Sequence, residues 1–337
     1  MPDLSIRTLT ESEYPAWDSF VSSSPQGTIF NTSIWASIIR EVFGIQHTIY
    51  GILEGDQLVG GISLFHKKKA GLNVVTRLPL TPYNGILFHP PDGEKSQKTS
   101  TEHQEIVRSL LERLEKEFKF IHLVLHPSVC DMRPFLWRHW HTLPQYTHVN
   151  SLSDLAQTWT LLSSSLRRKI SRAEENQIKI LEKDDPTLLL KFQEMSYAKA
   201  GLKPVLPLPV FKRYCEAVGR AKLLRIYSAV DAEANVHAER AVIVHNDHAY
   251  DWIAGTNLQI EDEHANQLLV WEILKRLSAE GAQTFDFLGA NTPSVTEFKR
   301  GFGGKFACYF EVRYFSSPLV RALDSLNQWR IRLKRKA

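Results

Sequence analysis

Apolar positions recur first at helical spacing: Trp35, Ile38, Ile39 and Val42 share one face, Ser33 can cap the segment and Gly44 stops it. From His47 to Phe65 two apolar runs flank Glu54-Gly55-Asp56, a hairpin whose turn glycine admits positive φ. Strand-like runs at 73–78 and 83–88 precede a Pro/Gly/Ser/Lys-rich loop from His89 to Ser100. Between Thr101 and Phe118 the period returns to helical, with Ile106, Leu110, Leu111 and Leu114 on one face, and 120–125 reads as a short buried strand. This half is predicted as helix, three or more antiparallel strands, helix, strand.

The second half repeats that order without residue-level repetition. Helical patterns at 153–163, 165–176, 186–200 and 208–219 precede strands at 222–230, 237–245 and 249–254. A long helix from about Ala265 to Glu280 carries Leu268, Leu269, Trp271, Ile273, Leu274 and Leu277 and ends at Gly281. A strand at 283–288, a short helix after Pro293 and a strand at 306–314 complete it. The pattern predicts an α+β protein in which one fold is used twice: residues 1–150, residues 151–316, and a basic helix at 317–337 whose Leu319, Leu323, Leu326 and Trp329 suit docking on a domain.

The length of 337 residues agrees with two domains. A hydrophobic content of 43% with 23% charged residues is ordinary for a globular chain and argues against disorder. No run approaches the roughly 20 uncharged apolar residues of a membrane span, and the first residues lack a signal peptide's pattern. Cys130, Cys215 and Cys308 are odd in number and widely spaced, which excludes a disulfide framework and suits a reducing cytoplasm. The net charge of +4 is unevenly spread. Residues 321–337 set Arg321, Arg330, Arg332, Lys334, Arg335 and Lys336 against Asp324, a net +5, so the other 320 residues sum to −1 and do not announce DNA.

The most informative stretch is FDFLGANTPSVTEFKRGFGGKF, residues 285–306: a strand, a Gly turn, a short helix and a glycine-rich exit. Here the chain resembles the Fem family of peptidoglycan-bridge aminoacyltransferases, a branch of the Gcn5-related N-acetyltransferase (GNAT) superfamily. The resemblance extends through Gly27-Thr28-Ile29-Phe30 with Trp35, Val59-Gly60-Gly61, the basic helix Arg167 to Ala173, and Asn266-Gln267-Leu268-Leu269 with Trp271-Glu272. It implies two tandem GNAT-like domains, each a mixed, mostly antiparallel sheet flanked by helices, with the C-terminal helix 317–337 packing back on the first domain. It also implies that Phe298-Lys299 lies where an aminoacyl donor is held. Armed family members insert a coiled coil in the second domain; residues 166–200 are too short for one and lack heptads.

Acyl transfer needs a donor carbonyl beside the acceptor, charge stabilisation at the developing oxyanion and a route for the acceptor's proton. Lys299 is the first candidate for charge stabilisation, against a solvated lysine; Asp286 is the second catalytic candidate, against a backbone hydrogen bond at the Gly289 turn. Substrate-binding candidates are Phe298, Arg168, Arg172, His264, Tyr250 and Trp252. Arg168 and Arg172, four apart on a helix, can grip phosphates or stay solvated beside Glu174 and Glu175. The rival for Phe298 is core, for His264 a helix-start position without chemistry, and for Tyr250 and Trp252, which share a strand face, core rather than cavity wall.

The Q/R-x-x-G-x-G/A loop that cradles CoA pyrophosphate in acetyl-CoA enzymes is not found, and the loop before Ala265 holds Glu261, Asp262 and Glu263, which repel a pyrophosphate. The donor stays open between acetyl- or acyl-CoA in an atypical pose and an aminoacyl-tRNA; the acceptor is a small-molecule or nucleotide-linked amine or hydroxyl of a cell-wall, polysaccharide or lipid precursor. A CoA-dependent N-acetyltransferase and a catalytically silent binding module of the same fold remain alternatives. His122 and His126 on one strand lie ~13 Å apart, too far to share a metal, and hydrolase, kinase and dehydrogenase motifs are missing.

Overall fold

A computed structural model describes residues 4–89, 96–199, 201, 203–261 and 263–336, the side chains of 96–100, 327 and 330–336 excepted. In chain order the elements are β1 (Leu4–Thr8), α1 (Tyr14–Ser23), α2 (Ser33–Phe43), β2 (Gln46–Glu54), β3 (Gln57–Lys69), β4 (Leu72–Val75), β5 (Leu87–Phe88), α3 (Ser96–Glu117), β6 (Phe120–Val124), α4 (Arg133–Trp137) and β7 (His141–Ser151). There follow α5 (Leu155–Leu161), α6 (Ser164–Glu175), β8 (Lys179–Lys183), α7 (Thr187–Lys199), α8 (Leu208–Arg220), β9 (Leu224–Val230), β10 (Val236–His245), β11 (His248–Thr256), α9 (Ala265–Ala279), β12 (Thr284–Asp286), α10 (Pro293–Arg300), β13 (Lys305–Phe315) and α11 (Pro318–Lys336).

The chain forms two compact units. The first holds residues up to Gln145 together with Cys308–Gln328; the second holds Tyr146–Ala307 and the last residues from Trp329. In the first, strands run in the order β1-β2-β3-β4-β6-β13, with β5 on β3. Every neighbouring pair is antiparallel except β4 and β6, which are parallel. The second unit has the order β8-β9-β10-β11-β12-β7, again antiparallel except for one parallel pair, β11 and β12. Each unit runs strand, helix pair, three-stranded meander, long helix, parallel strand. The long helix is the crossover that a parallel pair requires. The fold is therefore a tandem of mixed, mostly antiparallel sheets flanked by helices.

Each long helix supplies its unit's core. Leu110, Leu111 and Leu114 of α3 pack with Ile52, Ile62, Leu64, Ile121 and Leu123, and Leu268, Leu269, Ile273, Leu274 and Leu277 of α9 pack with Tyr227, Ala229, Val242, Ala249 and Phe285. All are buried, each worth about 1.5–3 kcal/mol over exposure for the larger aliphatics.

Several expectations change. Thr32, not Ser33, caps α2 by accepting the Trp35 N–H. β1, α1, α4 and β8 escape the periodicity, being short or, in α1, weakly patterned. The run 83–88 reduces to β5 because Tyr83 and Asn84 are fixed by tertiary contacts, Tyr83 against Tyr309 and Asn84 by accepting the Val124 N–H. By contact α11 up to Gln328 belongs to the first unit, yet Leu319, Leu323, Leu326 and Trp329 are 69%, 50%, 55% and 59% exposed. The apolar spacing is helical, but at least half of each of these residues stays open.

Candidate active site

The second unit's sheet opens where its parallel pair ends. β11 and β12 stay in register only from His248↔Thr284 to Tyr250↔Asp286. Past Asp286 the chain turns through 287–290 toward α10, while β11 continues to Thr256 on β10. The register of β10 and β11 slips between Ala241↔Ile253 and Val242↔Asp251, so Trp252 is a bulge residue.

Lys299 reaches this point from the last turn of α10. Its half-buried side chain puts Nζ 5.9 Å from the Phe287 ring centroid, and the ammonium donates to the carbonyls of Phe287 and of Gly289, the latter at 2.6 Å. Burial pulls its pKa below the ordinary lysine value; the charges of Asp251 and Asp286 raise it and that of Arg240 lowers it further. On the other side of the same turn, the Asp286 Oδ1 accepts the Thr147 hydroxyl at 2.7 Å and the Leu288 N–H at 2.8 Å. Leu288 at φ 53° and Gly289 at φ 100° both occupy the left-handed region. Lys299 and Asp286 thus hold one strained turn from opposite ends.

The sequence reading passed over the pair that completes the cluster. Arg240 of β10 donates through Nη1 to both oxygens of Asp251 on β11, at 2.6 and 2.5 Å, and through Nε to Asn266 of α9 at 3.1 Å. Its guanidinium lies 5.2 Å from the Phe298 ring centroid, and the side chains of Arg240 and Asp251 are 4% and 3% exposed. Phe298 is therefore a packing surface for a buried cation as well as a neighbour of the core through Phe302, 5.3 Å away. A signal was present: Glu239-Arg240 interrupts the apolar run of β10. Strand alternation sends Glu239 away from Arg240, where the buried carboxyl accepts the Ser228 hydroxyl at 2.6 Å and burial raises its pKa.

The structure thus gathers Lys299, Asp286 and Phe298 with Arg240 and Asp251. Tyr250 is buried beside them, its pKa raised by burial and then by Asp286. Trp252 is buried elsewhere, edge-on to Tyr214 of α8 at 5.1 Å. His264 is the N-cap of α9 at φ 61°, and its carbonyl accepts the Gln267 N–H at 3.0 Å. Arg168 and Arg172 are exposed on α6, line one open groove with Ser164, Arg167, Ser171 and Glu175, and form no ion pair with Glu174 or Glu175 among the described residues. Arg167 instead caps α5 through the carbonyls of Trp159 and Thr160. The glycine exit is tightly packed: a Cβ on Gly303, at φ 71°, would lie 2.4 Å from the Leu161 carbonyl oxygen. Among the described residues no three His, Cys, Asp or Glu side chains are arranged to hold a metal.

Residues 162–300 match the family described as an acetyltransferase (GNAT) domain. No curated protein matches the chain. Among solved structures, FemX is similar at 11% identity with a TM-score of 0.67, covering 91% of this chain and 96% of its own. The C-terminal domain of a putative lysylphosphatidylglycerol synthetase from Agrobacterium fabrum shares 10% identity at a TM-score of 0.53, covering 94% and 95%. A tandem GNAT protein from the clavulanic acid biosynthesis pathway shares 11% at 0.53, covering 94% and 99%. Residues 162–300 match a GNAT acetyltransferase domain, which supports acyl transfer as the activity, and the chain as a whole shares the fold of FemX and of the tandem GNAT protein.

The segment where GNAT enzymes cradle a CoA pyrophosphate fits that group poorly. Between β11 and α9 there is no glycine, the left-handed position is taken by His264, and Glu261 and Glu263 flank the helix start. Asp262, the third carboxylate of that loop, lies outside the described residues.

Proposed function

We propose that this protein transfers an aminoacyl or acyl group onto an amine or hydroxyl of a cell-wall, polysaccharide or lipid precursor, with the second unit supplying the chemistry. The observation that carries the reading is a pair of cations with donors to spare. An ammonium has three N–H groups and Lys299 uses two; a guanidinium has five, and Arg240 engages only Nε and Nη1 with acceptors among the described residues. Where a donor carbonyl becomes tetrahedral and negative, such fixed cations in a poorly solvated site stabilise the charge without having to reorganise. Asp251 and Asp286 hold these cations and the adjoining turn in place. The poor fit of the 257–264 loop to a pyrophosphate favours an aminoacyl donor, a charged tRNA, over a CoA thioester held in the usual pose. The Arg168–Arg172 face then contacts phosphate of the RNA or of a nucleotide-linked acceptor. The odd, unpaired cysteines favour a cytoplasmic setting.

The test has two stages. Native mass spectrometry of the purified protein reports whether RNA, a nucleotide-linked sugar or CoA travels with it. Radiolabelled aminoacyl-tRNA and acetyl-CoA are then offered in parallel with amine- and hydroxyl-bearing precursors. Transfer from the aminoacyl donor that drops about 10²–10³-fold in Lys299→Met supports the reading; transfer from acetyl-CoA alone overturns the aminoacyl donor, and full turnover by that variant overturns the role of the cations.

A further inference from the structure

α11 leaves an apolar ridge uncovered. Leu319, Leu323, Leu326 and Trp329 follow one another at spacings of four, three and three, which places them within about 120° of arc on a helix of 100° per residue. All four are more than half exposed or at the half-way mark, whereas the apolar residues of α3 and α9 that repeat at comparable spacing are buried. The same helix carries the most concentrated charge in the chain: Arg321, Arg330, Arg332, Lys334, Arg335 and Lys336 against Asp324. No helix among the described residues is long and apolar enough to cross a membrane. A helix that joins a tryptophan-bearing apolar ridge to a strongly cationic C-terminal end matches the chemistry of one occupant, the interface of a bilayer containing anionic lipids.

We infer that α11 is a peripheral membrane anchor: it lies in the plane of an anionic lipid surface, with Leu319, Leu323, Leu326 and Trp329 in the headgroup–acyl boundary and the basic residues against lipid phosphates. Charge decides between this occupant and a second copy of the chain. Pairing two such ridges brings together two helices of net +5 each, whereas an anionic surface neutralises one. The helix spans about 28 Å at 1.5 Å per residue, long enough to lay the whole ridge and the basic end along the surface at once. This anchor stands apart from the identity of the acceptor and from the donor reading above.

The experiment uses the full-length protein with large unilamellar vesicles of phosphatidylcholine alone and with about 30% phosphatidylglycerol, read by co-sedimentation. The expected result is binding at least tenfold tighter to the anionic vesicles, weakened at least tenfold by 0.5 M salt. Both the charge variant Arg332→Glu/Arg335→Glu and the ridge variant Leu323→Ser/Leu326→Ser/Trp329→Ser should lower it at least tenfold, with thermal unfolding unchanged. Size-exclusion chromatography with light scattering runs alongside. Equal affinity for neutral vesicles, no vesicle binding, or a wild-type dimer that the ridge variant turns into monomer each overturns the proposal.

Discussion

Removing Asp251 should unsettle the second unit more than removing the arginine it pairs with. The pair is nearly sealed from water, at 4% and 3% exposure, with both carboxylate oxygens on one guanidinium nitrogen at 2.5–2.6 Å. Deleting one member of such a pair strands the other charge, at a cost of about 3–5 kcal/mol. The two deletions differ because Lys299 feels both charges. Arg240→Met leaves Asp251 facing a second cation, so part of the interaction survives and the cost falls near 2–3 kcal/mol. Asp251→Val leaves Arg240 and Lys299 repelling each other, with only Asn266 and the Phe298 face to steady the guanidinium, and the cost moves to the upper end, about 4–5 kcal/mol. Replacing both charges with apolar groups removes the stranded ion, so the double variant should be more stable than Asp251→Val and couple by ~2 kcal/mol or more. Urea unfolding of the four proteins, followed by tryptophan fluorescence and circular dichroism, gives the cycle. Coupling below about 0.5 kcal/mol, or Arg240→Met as the costlier single change, would show that the cluster is not electrostatically organised as argued.

Three further outcomes follow from the same kind of reasoning. If charged Lys299 stabilises the oxyanion, the transfer rate falls as pH rises through its lowered pKa, below 10.5, and Asp251→Asn moves that limb to still lower pH because Asp251 raises the lysine's pKa; a limb that stays put in the variant contradicts this. Burial, then the charges of His66 and Arg40, lower the pKa of His47 from 6.5 to about 4. The unfolded chain therefore binds a proton that the native one refuses, and stability present above 6.5 is lost as pH falls toward 4. That loss is about 3 kcal/mol at 1.36 kcal/mol per pKa unit, and His47→Gln should flatten this part of a stability–pH curve. Gly303→Ala, whose Cβ would sit 2.4 Å from the Leu161 carbonyl oxygen at φ 71°, should cost at least ~2 kcal/mol in urea unfolding; a neutral result would mean the exit turn yields easily.

What the sequence exposed was what repeats locally. The long helices α3 and α9 announce themselves because a buried face must recur every 3.6 residues, and the meander β9–β11 because buried strands form apolar runs between polar turns. β8 did not, since four of its five residues are not buried and Lys179-Ile-Leu-Glu-Lys183 carries no alternation. The strand completing each sheet was harder still. β13 pairs with β6 of the first unit, nearly two hundred residues earlier in the chain, a partnership with no local signature. In the site, Lys299 and Asp286 were visible through the family-like stretch 285–306, but Arg240 and Asp251 sit in strands whose alternation says which face they take and not which charge they meet. The helix α11 shows the opposite limit: its apolar spacing gave the helix but not the exposure of its apolar side chains, because periodicity reports a face and not its cover.

The backbone hydrogen bond at the Gly289 turn, set in the sequence as the rival of a catalytic role for Asp286, is present in the structure. Asp286 accepts the Leu288 N–H and the Thr147 hydroxyl, and that hydroxyl oxygen in turn accepts the Gly289 N–H at 3.1 Å. Lys299 takes the carbonyls on either side of Leu288. A turn with two successive positive φ values is costly, and of these residues Leu288 is the one whose side chain makes it so, by about 1 kcal/mol or more. It persists because hydrogen bonds from Asp286, Thr147 and Lys299 hold it on both sides. The Lys299 ammonium is therefore fixed by the turn it stabilises. On the proposed reading, the hydrogen bonds that hold Lys299 also place its charge. Disturbing the turn through Asp286 displaces the cation, so the effects of Asp286→Asn and Lys299→Met on turnover should overlap rather than multiply.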